Sequence, residues 1–237
     1  MKLLIDAGNT LLKWALVSEN EWLHSGSLPI MNVAELPSHL KNWGNIKQVW
    51  ASNVAGNEVA RQINNLGIDR TSFIVAQESQ CGVHNGYLKW EQLGSDRWAA
   101  LIAAWNIVQK KCMVVNCGTA TTIDSLSDQG KFMGGLILPG MELMQRCTIG
   151  ATKMEKLEES EYSKFPLKTE DALYSGAIQA SCGAIDRQIA LHGSEIIVVL
   201  SGGAAGILKP HISTPSRVVD NLVLRGLMLI AQEARKR

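Results

Sequence analysis

A chain of 237 residues, 46% of them hydrophobic, is long enough to bury one large core or two smaller ones. Its formal net charge of +1 gives no electrostatic reason to expect a nucleic-acid partner, and no Lys/Arg stripe is interleaved with aromatic residues. No apolar run is long enough to span a bilayer and the first strand already carries an acid, so neither a signal peptide nor a membrane helix is expected and the chain reads as cytoplasmic. Five cysteines, Cys81, Cys112, Cys117, Cys147 and Cys182, form no C-x-x-C pair; they read as buried reduced thiols rather than zinc ligands or a disulfide framework.

The first element is an apolar run that ends in an acid at Asp6, turns at Gly8-Asn9, and returns through Leu11, Leu12, Lys13 and Trp14, the pattern of a β-hairpin with a polar tip. Gly8 lets the backbone approach an anion, Asn9 and Thr10 offer donors, Lys13 adds a cation, and Asp6 is placed to hold a hydrated Mg²⁺ beside the same phosphates. Taken alone, such a tip is also what an ordinary hairpin with a charged rim looks like. A third strand follows to Leu28, then a helical spacing over Val33 to Trp43, a strand over Val49 to Val54, a short helix over Glu58 to Leu66 stopped by Gly67, and a strand over Ser72 to Val75. Strands alternating with helices are the mark of an α/β domain.

Gly86-Tyr87 precede Gly94-Ser95-Asp96-Arg97, which opens an Ala- and Leu-rich helix. Asp96 in the first turn complements the helix dipole, but Arg97 gains nothing from it there. Arg97 therefore calls for an acidic partner, and a substrate carboxylate suits its bidentate fork.

The run Val114 to Asp124 then repeats the opening: an apolar strand, a glycine turn and a Thr-rich return, with Gly118 standing 110 residues after Gly8. The offset runs on without a gap, placing Leu16 on Leu126, Trp22 on Phe132, Leu28 on Leu138 and Pro29 on Pro139. Two copies imply two domains, expected at 1–110 and 111–237. The Gly134-Gly135 pair leads to Pro139-Gly140 and a helix at about Met141 to Cys147. The charged segment 151–164 reads as a solvated connector and as the segment best suited to be a flap. Thr169, with Glu170 and Asp171 behind it, reads as the N-cap of a helix reaching about Leu191. The apolar strand Glu195 to Leu200 enters a Ser201-Gly202-Gly203 turn, the kind of place where α/β sheets hold nucleotides, and Leu222 to Ala231 closes the chain as an apolar helix.

Two phosphate-friendly hairpins, a late glycine turn and a duplicated α/β plan resemble the superfamily of sugar kinases, heat-shock ATPases and actin. Within it, Asp6-Ala7-Gly8-Asn9-Thr10 with Lys13, Gly94-Ser95-Asp96-Arg97, Gly118-Thr119-Ala120-Thr121-Thr122-Ile123-Asp124, Gly134 to Gly140, Thr169-Glu170-Asp171-Ala172 and Ser201-Gly202-Gly203 together resemble a type III pantothenate kinase, in order and over nearly the whole chain. The resemblance implies a duplicated actin-like, ribonuclease H-like ATPase fold whose two tips face each other across an interdomain cleft. It implies that Asp6, Ala7, Gly8, Asn9, Thr10, Leu11, Leu12 and Lys13 bind ATP phosphates, with Asp6 near Mg²⁺ and Thr119 on the nucleotide. Tyr87, Gly94, Ser95, Asp96 and Arg97 would line the pantothenate site, Asp96 would be the base for the substrate's primary hydroxyl, and Thr169 would reach pantothenate from the neighbouring subunit of a homodimer. The family commonly has aspartate where this chain has Asn116, and that aspartate is associated with a monovalent cation, potassium or ammonium. An asparagine carbonyl can still ligate a cation, without the full charge. The implied reaction is phosphorylation of pantothenate at the first step of coenzyme A synthesis. The alternatives are a kinase of the same fold for another small hydroxylated acid, and a non-catalytic transcriptional accessory or ligand-sensing protein.

Overall fold

The computed structural model describes residues 1–19, 21–151, 159–193 and 195–235. In chain order the elements are β1 (Lys2–Ala7), β2 (Leu11–Ser18), β3 (Glu21–Pro29), α1 (Leu36–Leu40), β4 (Gln48–Asn53), α2 (Asn57–Asn64), β5 (Thr71–Phe73), β6 (Ser79–Gln80), β7 (Val83–His84) and α3 (Ser95–Val108). They continue with β8 (Cys112–Cys117), β9 (Ala120–Leu126), β10 (Phe132–Pro139), α4 (Met141–Gly150), α5 (Thr169–His192), β11 (Ile197–Ser201), α6 (Ala205–Leu208), β12 (Ser216–Val218) and α7 (Leu222–Glu233).

Two sheets share one plan. The first runs β3-β2-β1-β4-β5 and the second β10-β9-β8-β11-β12, each with an antiparallel hairpin at its start. In each, the strand after the hairpin's first strand is parallel to it, as β4 is to β1 and β11 to β8. This is the duplicated α/β plan that the repeat of the hairpin implied, and it agrees with the actin-like fold that the family resemblance implied.

By packing, the chain divides into one unit of Met1–Lys110, Ser127–Met133 and Asn221–Arg237 and another of Lys111–Leu126 and Gly134–Asp220. A division at 110/111 thus leaves out two crossings. The C-terminal helix α7, expected with the second half, packs in the first unit on α3, where Gly226 comes so close that a Cβ would sit 1.9 Å from the Ala99 carbonyl oxygen. An apolar helix announces that it is buried but not against what.

In the first unit the middle of β1 is buried on both faces. Leu3, Ile5 and Ala7 join Trp14, Leu16, Val49, Ala51 and Ile63 in one core, while Leu4 on the opposite face is also fully buried. The second unit builds its core from Met113, Val115, Ile123, Ile178, Ile185, Val198, Leu200 and Leu208. The helix expected over Val33 to Trp43 is instead a 3₁₀ turn, Ile30–Glu35, followed by the short α1. Pro37 has no N–H to bond back to Val33, so the helix must restart there. Part of the expected connector and flap, 152–158, lies outside the described residues.

The two hairpins differ at their tips. Ala7 pairs with Leu12, leaving residues 8–11 in the first turn, whereas Cys117 pairs with Thr121, leaving only 118–120 in the second. The ungapped sequence offset therefore slips by one residue on the return strand: Asp6 faces Lys13, but Asn116 faces Thr122. The third strands nonetheless end together, at Pro29 and Pro139.

Candidate active site

In the first unit, Asp6 lies near the C-terminal end of β1, with Lys13 opposite it on β2 and Ser52 beside it on β4. Its tip is closed by the Gly8 N–H donating to the Leu11 carbonyl at 3.1 Å, and Asn9, Thr10 and Leu11 stand exposed. Ala7 and Leu12 point into the core and can offer a ligand only their backbone. The Thr10 carbonyl is already taken by the Ile30 N–H at 2.9 Å.

The second contributor is the start of α3. Gly94 is its N-cap residue, and the Asp96 Oδ1 accepts the Arg97 backbone N–H at 2.8 Å. No partner holds the Asp96 Oδ2 among the described residues. Burial pushes the Asp6 carboxyl up to about 7; the negative charge of Asp96 adds to the rise and Lys13 opposes it. Two carboxylates that repel each other in a partly dry setting, with a single lysine in partial compensation, form a donor set that a divalent cation would neutralise. Two are too few for a protein cage, and among the described residues no three His, Cys, Asp or Glu side chains gather to hold a metal. A hydrated Mg²⁺ that completes its shell with water and phosphate fits this set.

Arg97 is held where sequence alone could not place it. It is 5% exposed, its Nη1 donates to the Tyr87 hydroxyl at 3.0 Å, and its Cζ lies 5.7 Å from the Tyr87 ring centroid and 5.8 Å from that of Phe132. The two rings contact each other at 5.6 Å. Inside the protein the guanidinium thus meets a phenol and a pair of aromatic faces. Phe132 is fully buried, and the Gly86 backbone passes so close to its carbonyl that a Cβ at Gly86 would sit 1.9 Å from that oxygen.

In the second unit, three glycine turns converge on the end of β8. The Thr119 carbonyl accepts the Gly140 N–H at 2.9 Å, and the Cys117 carbonyl accepts the Ala204 N–H at 3.2 Å. Gly202, at φ +94°, lies so close over Cys117 that a Cβ would stand 2.4 Å from its carbonyl oxygen. The Ser201-Gly202-Gly203 turn is thereby fixed against the second tip, where Thr119 is exposed. Asn116 lies in the same register as Ser201 on β11 and Thr122 on β9.

A sequence profile of type III pantothenate kinases matches residues 2–191. A type III pantothenate kinase from Nitrosospira multiformis is 42% identical over 98% of this chain and 91% of its own length. The chain belongs to the type III pantothenate kinase family. Among solved structures, a Campylobacter jejuni protein described as a Baf family transcriptional activator superposes with a TM-score of 0.65 at 21% identity, over 99% of this chain and all of that one. A Sinorhizobium meliloti protein described as a 2-dehydro-3-deoxygalactonokinase gives 0.63 at 13% identity, over 99% of each chain. At such identities the likeness speaks for the fold alone.

Within this pantothenate kinase, the N-cap role expected for Thr169 falls to Lys168, and no side chain caps α5. Thr169 is the first helical residue and is exposed, so capping does not account for it. Of the cysteines, Cys112, Cys117 and Cys182 are buried, with burial pushing their thiols up to about 12, 12 and 11. Cys147, in contrast, is exposed. Sequence reasoning missed Phe132, whose only mark was its repeat match to Trp22, and Ser52, a small residue at the end of a strand.

Asp6 yields a pH prediction. Its carboxyl holds a proton in the folded protein to about pH 7 but loses it near 3.8 when unfolded, so folding takes up a proton between these values. The stabilisation is complete below the lower value and is lost as pH rises through about 7. In metal-free buffer the melting temperature should therefore fall between pH 5 and pH 8. In Asp6→Asn this fall should shrink, as scanning calorimetry would reveal; an unchanged fall would locate the titration elsewhere.

Proposed function

We propose that this kinase transfers the γ-phosphoryl group of ATP to the primary hydroxyl of pantothenate, with Asp96 as the general base. The observation that supports the reading is that Asp6, at the end of β1, and Asp96, in the first turn of α3, are linked within one unit through Ser52, which pairs with Asp6 and bonds Ser95, with Arg97 held next to Asp96. As the Asp96 carboxylate takes the hydroxyl proton, the hydroxyl oxygen bonds to the γ-phosphorus. The bond from that phosphorus to the bridging oxygen breaks, and its electron pair leaves with ADP. A modest base suffices, because the loose transition state asks mainly for alignment and charge neutralisation. Asp6 would hold the divalent ion through water, and the ion's charge, when bound, offsets that of the phosphates.

The remaining residues take parts that their positions support. The tip from Asp6 to Lys13 offers the Asn9 and Thr10 donors and the Lys13 cation to the phosphates, and Thr119 meets the nucleotide. Arg97 and Tyr87, rigid through their mutual contact, hold the pantothenate carboxylate at the start of α3 together with Gly94 and Ser95. Thr169 serves the substrate of the partner subunit in a homodimer. Phe165, 85% exposed, and Leu167, 99% exposed, stand just before it and support a covered surface there. The cytoplasm is where ATP and this substrate meet, and among the described residues no helix is long and apolar enough to cross a membrane.

The test is phosphate transfer from ATP to pantothenate on purified protein, with and without potassium, against sugars and N-acetylhexosamines as competing acceptors. Transfer to a sugar but not to pantothenate would overturn the reading. Asn116 brings no charge to a monovalent cation, so potassium should stimulate the native chain weakly. Asn116→Asp should lower the potassium concentration for half-maximal rate about tenfold, the effect of about 1.4 kcal/mol of added attraction.

A further inference from the structure

Ser52 occupies the position on β4 that pairs with Asp6 on β1. Its strand neighbours Val49 and Ala51 turn into the core of the first sheet, so Trp50 and Ser52 face the other side of the sheet. There Ser52 is fully buried, and its hydroxyl lies 2.8 Å from that of Ser95. Ser95 is the first helical residue of α3 and directly precedes Asp96.

Two further side-chain hydrogen bonds tie the first turn of α3 to other parts of the first unit: Arg97 donates to the Tyr87 hydroxyl at 3.0 Å, and the Trp98 indole N–H donates to the Gln80 Oε1 at 2.9 Å. The N-cap residue of α3 is Gly94, which has no side chain to cap with; the Trp98 N–H to the Gly94 carbonyl, at 2.9 Å, is an ordinary first helical turn. The Ser52–Ser95 pair is therefore a side-chain hydrogen bond that fastens the helix start to the sheet. It does so on the strand next to Asp6.

We infer that Ser52 is a positioning residue: through Ser95 it fixes the first turn of α3 against β4 and so sets where the Asp96 carboxylate stands relative to Asp6 and to the incoming hydroxyl. A buried hydroxyl that loses its partner leaves the other unsatisfied, and the helix start then relaxes to find water or a new acceptor. Displacing a reacting group by about 1 Å can cost about 100-fold in rate. Ser52 need not touch the substrate to have this effect. The inference rests on Asp96 being the base.

Steady-state kinetics on the full chain separate these ideas. Ser52→Ala should lower kcat by about tenfold or more with the KM for ATP unchanged, and Ser52→Thr, which keeps the hydroxyl, should recover most of it. Ser95→Ala removes the same bond from a half-buried position and serves if Ser52→Ala does not fold. The double variant should fall no further than the worse single variant, since the two act through one contact. Native kcat in both single variants, or losses that multiply in the double variant, would overturn the inference. So would a loss that tracks a lowered melting temperature and is not recovered by Ser52→Thr. Asp96→Ala is run alongside: if it is inactive while the serine variants are indifferent, only the role of Ser52 falls, whereas full turnover in Asp96→Ala removes the base and Ser52's role together.

Discussion

Asp96→Ala is expected to lower kcat by about 10² to 10⁴-fold, the range a positioned general base contributes, while ATP binds as before. The separation follows from where the residue stands. Asp96 belongs to the first turn of α3, whereas the phosphate tip is built from the β1–β2 turn and closes through its own Gly8 to Leu11 hydrogen bond. Removing the carboxylate leaves that turn intact. It also relieves Asp6 of a neighbouring negative charge, so nucleotide affinity measured without metal should hold or rise. Asp96→Asn is the sharper companion, because an amide oxygen still accepts the Arg97 N–H and keeps the helix start in shape. A variant of that kind with native turnover would show that the proton goes elsewhere.

Arg97→Lys and Arg97→Ala are both expected to raise the pantothenate KM by about 10- to 100-fold, the cost of losing a charge-assisted contact of about 1.5–3 kcal/mol. The KM for ATP should barely move. Lysine does not rescue, because the native group is a planar fork that bonds the Tyr87 hydroxyl while lying near the faces of Tyr87 and Phe132. Both variants should also melt earlier, since Arg97 is buried and its loss leaves that space unfilled. An unchanged pantothenate KM in Arg97→Lys would remove the carboxylate-binding role. Phe132→Leu keeps the guanidinium but takes away one face, and should give a smaller increase in the same constant.

The parts legible in the sequence were those written by local chemistry. Alternating apolar runs around Gly8 and Gly118 marked the hairpins, and the Ala-rich run after Gly94 marked α3, because turn glycines and helix propensity act within a few residues. The fold class followed from seeing the hairpin twice. What stayed hidden depends on residues far apart in the chain. Arg97 looked like a cation in need of an acid, and only folding shows Phe132 bringing an aromatic face to it. Thr169 looked like a cap, but the extended residue before the helix is Lys168, a one-residue difference that backbone geometry decides. Pro37 was in plain view, yet its power to cut the expected helix in two competes with the apolar spacing around it. Ser52 carried no signal at all, since a small polar residue at a strand end says nothing of what it faces.

The unequal hairpin turns have a bearing on how freely the two halves of this chain can be altered. Because one loop is a residue shorter, forcing the pairing that the 110-residue offset implies, Asn116 with Ile123, would shift the return strand by one residue and turn its side chains to the opposite face, sending Ile123 outward and Asp124 into apolar surroundings. A lysine opposite Asn116, as Lys13 is opposite Asp6, would have to stand at Thr122 and not at Ile123, where the sequence offset would put it. The two copies thus match in strand order but not in turn length, and an insertion or deletion would be needed to make their turns alike.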